Sequence, residues 1–146
     1  MVQDDYNISR FKDAQERIYP IALRELKEGQ KRSHWMWYIF PQLKGLGYSY
    51  NSKFYGISGT EEASEYLEDP ILGQRLREAS KAILDLATYD AVEVFGGIDS
   101  LKLKSSMTLF DLVSPNDIFA RVLDKYFNRQ RDNRTINLIT ASNETI

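Results

Sequence analysis

The chain has 146 residues, 42% of them hydrophobic and 27% charged, which is the composition of one globular domain of ordinary size. Nineteen basic and 21 acidic side chains give a formal charge of −2, so no overall positive field attracts a nucleic-acid backbone. The absence of cysteine and the single histidine exclude disulfides, thiolate nucleophiles and zinc sites built from cysteine or several histidines.

Composition also sets expectations for location and partners. No apolar run reaches the ~20 residues that cross a bilayer, and the acidic stretch 1–5 lacks the basic segment of a signal peptide. We therefore expect a cytoplasmic protein with no membrane or nucleic-acid partner; the sequence gives no indication of oligomeric state. A metal would have to be a hard ion with oxygen ligands, and no acidic cluster indicates one, so we expect neither metal nor cofactor.

The start of the chain predicts an irregular segment followed by helix. Residues 1–8 are polar, and from 9 to 26 apolar side chains recur at helical spacing. Pro20 lacks the donor that a helix interior needs, so it predicts either a kink or two short helices. Gly29 predicts the C-terminal end.

An aromatic stretch follows at 33–42, and it holds both tryptophans and the histidine. Ser33 suits an N-cap, so we predict a short helix over 34–40, although its aromatic residues also favour a strand. Residues 43–59, rich in glycine and aromatic side chains, predict one long irregular loop, and loops of this length in compact domains are usually functional.

The second half of the chain predicts a series of helices. The clearest is an amphipathic helix over 70–87, whose apolar side chains form a continuous stripe. The others are predicted over 60–67, 91–95 and 99–110, from Ser114 and from Asp132, with an irregular tail from 141. The sequence therefore predicts an all-α fold: one compact domain over 1–146 with about seven or eight helices and an ordered core at about 9–140.

His34 is the first candidate for catalysis, because imidazole titrates near neutrality and can exchange a proton. The alternative is a histidine that only hydrogen-bonds its neighbours near a helix start. Trp37 suits stacking on a planar ligand, or it is a core anchor. We include Gln42 and Tyr55 as ligand-binding candidates beside the aromatic stretch.

A second group of candidates lies on the helix predicted over 99–110. Lys104, Ser105 and Thr108 offer a cation and hydroxyl donors, a combination that holds phosphate, but they also fit a solvated helix face. Asp99 is a candidate acid–base residue or a simple helix cap. Arg75 is a further candidate for phosphate or hydroxyl contacts.

Several blocks carry a resemblance to a known family. They are the HWMW block within 32–43, the stretch 70–76 and the KLKSSMTLF block at 102–110. With them the chain resembles domain-of-unknown-function family 1810, sometimes labelled calpastatin-like, and the resemblance implies a compact helical domain without an established activity. The order of a polar-aromatic helix, the block 72–75 and a late Phe-rich helix is loosely similar to NADAR proteins, which implies ADP-ribose-linked N-glycosidic hydrolysis.

Two functional hypotheses follow. In the first, the protein has a pocket for a small phosphorylated ligand, a nucleotide or ADP-ribose derivative, and hydrolyses an N-glycosidic bond with His34 or Asp99. Trp37 and Tyr55 would stack on the ligand, and the wall opposite the aromatic stretch would be the helix carrying Lys104. In the second, the protein is a non-catalytic interaction domain whose aromatic loop docks a partner protein.

Overall fold

The computed structural model describes residues 6–144; residues 1–5, predicted as part of an irregular start, and residues 145–146 lie outside it. Within that range the chain forms helices and no strand, which confirms the predicted all-α class. The helices are α1 Ser9–Glu28, α2 Met36–Ile39, α3 Tyr50–Phe54, α4 Thr60–Glu68, α5 Pro70–Leu84, α6 Ala91–Phe95, α7 Gly97–Val113, α8 Ile118–Phe127 and α9 Asn133–Glu144. None of these helices has the length and apolar character that a membrane span requires.

The centre of the fold is α7, which packs against α4, α6, α8 and α9. Its side chains from Ser105 to Asp111 are all buried, so this segment is enclosed on every side. A helix in that position has no solvated stripe, and its polar side chains must find partners inside the protein. On the opposite side of the core, α1 packs against α5 and α2.

The first helix decides between the alternatives predicted at Pro20, a kink or two short helices. It runs through this residue as a single helix of 20 residues, so the alternative of two short helices is wrong. Tyr19 and Ala22, which flank the proline closely, are both buried against the core, and this packing holds the helix together around the exposed ring. The predicted stop at Gly29 is confirmed, with a φ of 81° and an amide that donates to carbonyls of the last turn.

Boundaries near the C-terminus also differ. The helix predicted from Ser114 begins later, because Asn116 has a φ of 62° and the Asp117 carboxylate caps α8 instead. The predicted start at Asp132 is confirmed, since its carboxylate accepts a hydrogen bond from the Thr135 amide at 3.0 Å. The prediction of an irregular tail from 141 is wrong, because α9 extends to residue 144.

A buried carboxylate on α1 fixes the start of the aromatic stretch. Glu25 accepts hydrogen bonds from the backbone amides of Arg32 and Ser33 at 2.8 and 3.0 Å. It also accepts from the Ser33 hydroxyl at 2.6 Å and from the Trp35 indole at 2.9 Å. Ser33 is therefore not the N-cap that the sequence predicts; its hydroxyl binds Glu25, and α2 begins only at Met36.

The end of the aromatic stretch is held by the same helix. The Gln15 amide on α1 donates to the Tyr38 carbonyl at 2.7 Å and to the Tyr66 hydroxyl at 3.0 Å, and its side chain is buried. Glu25 and Gln15 therefore attach both ends of the aromatic stretch to α1. Within that stretch only Met36–Ile39 is helical. The direction of each side chain from Trp35 to Tyr38 follows from these contacts.

The long loop predicted over 43–59 is closed at its base and contains the short helix α3. Backbone hydrogen bonds join Lys44 to Ile57 at 2.7 Å and Ile57 to Gln42 at 2.9 Å. Arg10 adds a hydrogen bond to the Phe54 carbonyl at 2.8 Å and an ion pair with buried Glu62 at 2.8 Å. The loop therefore has a fixed base.

We expect Glu25→Gln to lower the free energy of unfolding by about 2–3 kcal/mol, because a neutral amide cannot accept all the hydrogen bonds of the buried carboxylate. The matched control is Glu28→Gln on the same helix, which removes only an exposed ion pair with Arg32 and should change stability far less. Urea unfolding followed by circular dichroism measures both. Equal effects of the two substitutions would contradict the role of Glu25.

The same carboxylate predicts a pH dependence. Burial raises the pKa of Glu25, but the hydrogen bonds from Ser33, the Arg32 amide and the Trp35 indole outweigh it and lower the pKa from 4.5 to about 2. One pKa unit corresponds to about 1.4 kcal/mol, so the group contributes about 3 kcal/mol above pH 5. This contribution is lost as the pH falls from about 4.5 to about 2.

Urea unfolding at a series of pH values tests this dependence. The difference in unfolding free energy between the wild type and Glu25→Gln should shrink across that acid window and stay constant above it. A difference that is independent of pH would show that the carboxylate does not carry this stability.

Candidate functional site

An open cleft of about 430 Å³ lies between the aromatic stretch and the junction of α6 and α7. It brings together three of the residues that the sequence singled out, namely His34, Trp37 and Asp99. We call it the Trp37 cleft. Its other lining residues are Lys31, Met36, Phe95, Gly96, Gly97, Ile98 and Lys102.

The charges in the Trp37 cleft are arranged around Asp99. Its carboxylate lies 2.9 Å from the Lys31 ammonium and 3.4 Å from the Lys102 ammonium. The Lys31 side chain is only 7% exposed, so its charge is largely removed from water. Two lysines against one carboxylate leave a net positive charge, which favours an anionic ligand.

The aromatic and helical groups of the cleft add to this field. The Lys102 ammonium lies 4.8 Å from the centre of the Trp37 ring, and the Lys31 ammonium lies 5.0 Å from that of Trp35. The cleft is also lined by Gly96 and Gly97, where α7 begins without a side-chain cap. The amino end of a helix carries a partial positive charge, which acts in the same direction as the lysines.

His34 lies exposed at this cleft. Its carbonyl accepts a hydrogen bond from the Tyr38 hydroxyl at 3.2 Å, whereas its imidazole makes no hydrogen bond to any residue from 6 to 144. The ring is therefore accessible to a ligand in the cleft. No carboxylate orients it, so the arrangement is not a preformed His–carboxylate pair.

A second, narrower cavity lies on the other side of Trp37, beneath the long loop. Its volume is about 20 Å³, which is room for one water molecule. We call it the loop cavity. The predicted residues Trp37, Gln42 and Tyr55 line it together with Leu43, Leu46, Gly47, Asn51, Ser52 and Gly56. Trp37 is thus a wall shared by both cavities.

The remaining candidates on α7 line neither of these cavities. The Lys104 ammonium lies 6.0 Å from the centre of the Phe127 ring on α8. The Ser105 hydroxyl donates to a backbone carbonyl of its own helix at 3.2 Å. The Thr108 hydroxyl donates to the Lys104 carbonyl at 2.8 Å and accepts from the Asp132 amide at 2.9 Å. Lys104 faces α8 and Thr108 faces the start of α9, so the expected wall opposite the aromatic stretch is formed by other residues of α7.

Arg75 also lies outside both cavities. Its guanidinium covers the Tyr19 ring at 5.0 Å from the ring centre and donates to the Gln15 side chain at 3.3 Å. Burial and a hydrogen bond to Glu78 raise the pKa of Tyr19. Arg75 therefore belongs to a polar network between α1 and α5.

Sequence reasoning missed two lysines of the cleft. Lys102 was not among the candidates; it pairs with Asp99 and also covers Trp37. Lys31 was not considered. The sequence signal that could have identified Lys31 is its position close to the aromatic stretch, where a cation can reach an indole ring.

The structure also bears on metal binding. Among residues 6–144, no three acidic or histidine side chains lie close enough together to hold a metal ion. The polar groups of the Trp37 cleft are mainly cationic, and they suit an anion rather than a metal.

Comparisons with known proteins show the family. The crystal structure of the conserved hypothetical protein Rv1873 from Mycobacterium tuberculosis is similar to this chain, with a TM-score of 0.92 and 43% sequence identity over 94% of this chain and 99% of that one. A comparison with curated proteins found no match, and the likeness to NADAR proteins is not shown. A family model described as a protein of unknown function, DUF1810, matches residues 5–139. The chain therefore belongs to the DUF1810 family.

Proposed function

We propose that the protein binds a small phosphorylated ligand, a nucleotide or ADP-ribose derivative, in the Trp37 cleft. The observation that carries the proposal is the placement of Lys31, Lys102 and the Trp37 ring in one open cleft. Cations suit the phosphate, and an indole face suits a planar ring. The volume of about 430 Å³ lies within the range of small-molecule sites.

The ion pairs suggest how a phosphate would enter. The contact of Lys102 with Asp99, at 3.4 Å, is longer than that of Lys31, at 2.9 Å. The Lys102 side chain is also more exposed than that of Lys31, by 23% against 7%. A phosphate can therefore replace Asp99 as the ion-pair partner of Lys102 at a small cost in free energy. The Asp99 carboxylate stays paired with Lys31.

Hydrolysis of an N-glycosidic bond is the reaction that we propose for such a ligand. Water adds to the anomeric carbon, the carbon–nitrogen bond breaks, and a proton passes to the departing nitrogen. The Asp99 carboxylate would stabilise the positive charge that develops on the sugar ring. The accessible imidazole of His34 would transfer the proton.

A second candidate function is docking of a partner protein on the long loop. Three aromatic side chains are exposed there: Tyr48 by 87%, Tyr50 by 75% and Phe54 by 41%. The rings of Tyr50 and Phe54 are stacked, with centres 5.7 Å apart and planes 8° apart. Exposed aromatic side chains on a fixed base suit an interface hot spot.

Lys102 and Lys104 provide a matched pair of variants for the binding proposal. We expect Lys102→Ala to weaken the affinity for ADP-ribose, AMP or ribose 5-phosphate about tenfold, through loss of one charged hydrogen bond. Lys104→Ala, on the other face of the same helix, should leave affinity unchanged. A thermal-shift screen followed by calorimetry of the hits measures this. A screen without any hit would instead favour the docking function.

Asp99 provides the test of hydrolysis. We expect Asp99→Asn to abolish release of the base from a nucleotide substrate and to retain binding, because the amide keeps the shape of the side chain but loses its charge. Asp85→Asn, which changes an exposed acid that pairs with Lys81 outside the Trp37 cleft, is the control and should keep full activity. Chromatography of the released base gives the rate. A wild-type protein that binds the ligand but releases no base would rule out hydrolysis.

A further inference from the structure

The long loop and α9 meet at the surface of the protein. The Arg134 guanidinium on α9 donates to the Leu46 carbonyl at 3.3 Å, and the Leu138 side chain, one turn further along, lies against Gly45. Both segments expose side chains here. These are the apolar Tyr48, Tyr50, Phe54 and Leu138 and the basic Lys44, Lys53 and Arg134. We call these seven residues the loop surface.

The loop is compact, so its exposed side chains lie near one another. A Cβ atom at Gly47 would lie 2.6 Å from the Ser52 hydroxyl, and one at Gly56 would lie 2.8 Å from the Cα atom of Lys44. The two limbs of the loop are therefore in contact at two places, and neither glycine leaves room for a side chain. A loop that is already ordered loses little conformational entropy when a partner binds.

The aromatic side chains form the apolar part of the loop surface. Tyr48 is exposed by 87% and Tyr50 by 75%. The ring of Phe54, which stacks on Tyr50, also contacts the half-buried Tyr55 ring edge-on, with centres 4.8 Å apart. Because Tyr55 packs against the core, this contact fixes the stacked pair in position. Tyrosine in such a fixed and exposed position is typical of an interface.

The charge of the loop surface is entirely positive. None of its three cations forms an ion pair with any residue from 6 to 141. The segments 42–60 and 133–143 contain no acidic residue, although the whole chain has a formal charge of −2. The positive charge is therefore not compensated locally, and it attracts a partner with negative charge.

We propose that the loop surface docks a short acidic segment of a partner protein. Carboxylates of that segment pair with Lys44, Lys53 and Arg134, and an aromatic or aliphatic side chain packs on the Tyr50 ring. This assignment rests on the docking function, for which it names the chemistry of the partner, and it is independent of the ligand of the Trp37 cleft. An apolar centre with a charged rim is the usual anatomy of a protein interface.

The charges around the loop surface favour a short acidic segment over a nucleic acid. The exposed acids Asp13 and Glu61 lie on the neighbouring helices α1 and α4. Burial raises the pKa of Tyr55, and the charge of Asp13 adds to that rise, so Asp13 lies within electrostatic reach of the loop. A long strand of phosphates would extend beyond the three cations and be repelled by these acids, whereas a short segment would not.

Selection from a random peptide display library, with the wild-type protein as the target, tests the chemistry of the partner. We expect the enriched peptides to have an excess of acidic residues together with an aromatic or aliphatic residue. Enrichment of neutral or basic peptides that depend on Tyr50 would keep the docking function but overturn the acidic partner. A selection that enriches no peptide would remove both.

Two tyrosines provide a matched pair that locates the bound peptide. Tyr50 and Tyr89 are exposed by 75% and 74%, but Tyr89 lies beside Lys125 on α8. We expect Tyr50→Ser to weaken binding of an enriched peptide, labelled with fluorescein, about tenfold or more, and Tyr89→Ser to leave it unchanged. Fluorescence anisotropy measures the affinity. Acidic peptides that bind Tyr50→Ser as tightly as the wild type would contradict the proposal.

Two triple variants measure the contribution of charge. The first changes Lys44, Lys53 and Arg134 to Gln. The control changes Arg17, Arg24 and Lys27 to Gln, which removes the same formal charge from exposed positions of α1. We expect the first variant to bind the peptide about tenfold more weakly and with less dependence on salt, and the control to behave as the wild type. Equal losses would show that the peptide responds to net charge alone, which would overturn the proposal.

Two further measurements separate the alternatives. A labelled oligothymidylate of about 15 nucleotides probes nucleic-acid binding, and tighter binding of this strand than of the peptide, lost in Tyr50→Ser, would overturn the acidic partner. Circular dichroism shows whether each variant is folded. Calorimetry with ADP-ribose should give the same affinity for the first triple variant as for the wild type, so a failure of the docking site and a failure of the Trp37 cleft are distinguishable.

Discussion

The arrangement of the site depends on the buried carboxylate of Glu25. Burial of a charge is costly, and here four hydrogen bonds from a short segment of chain offset that cost. Three of the donors, on Arg32 and Ser33, fix the backbone, and the fourth draws the Trp35 indole into the core, where it is fully buried. Because Trp35 is fixed inside, Trp37, two residues further along the same turn, must point in another direction. The two tryptophans therefore have different roles, one in the core and one at the cavities.

Trp37 divides two environments of opposite character. The cleft on one side has an excess of cations, whereas the loop cavity on the other side has amide groups and no charge. Two sets of contacts hold these walls in place. Gln15 holds the backbone at Tyr38 on one side, and Arg10 with Glu62 holds the base of the loop on the other.

Most of the fold could be predicted from the sequence because its signals are local. Helical spacing indicated the long helices, and Gly29 and Asp132 marked ends whose chemistry depends only on near neighbours. The site was harder to predict from the sequence. The spacing of Lys102 and Lys104 places them on different faces of α7, but both faces carry a lysine, and nothing local in the sequence indicates which of them meets the cleft. Ser33 looked like a cap because its true partner, Glu25, belongs to the preceding helix.

The two candidate functions share one structural element, and this links them. The loop that exposes Tyr48 and Tyr50 at its surface also supplies Asn51, Ser52 and Tyr55 to the loop cavity. Since the base of the loop is fixed, a partner that contacts the exposed rings must act on a segment with little freedom to move, and any displacement of α3 changes the position of Asn51 directly. A partner that docks on the exposed rings would therefore contact the same segment that lines the loop cavity.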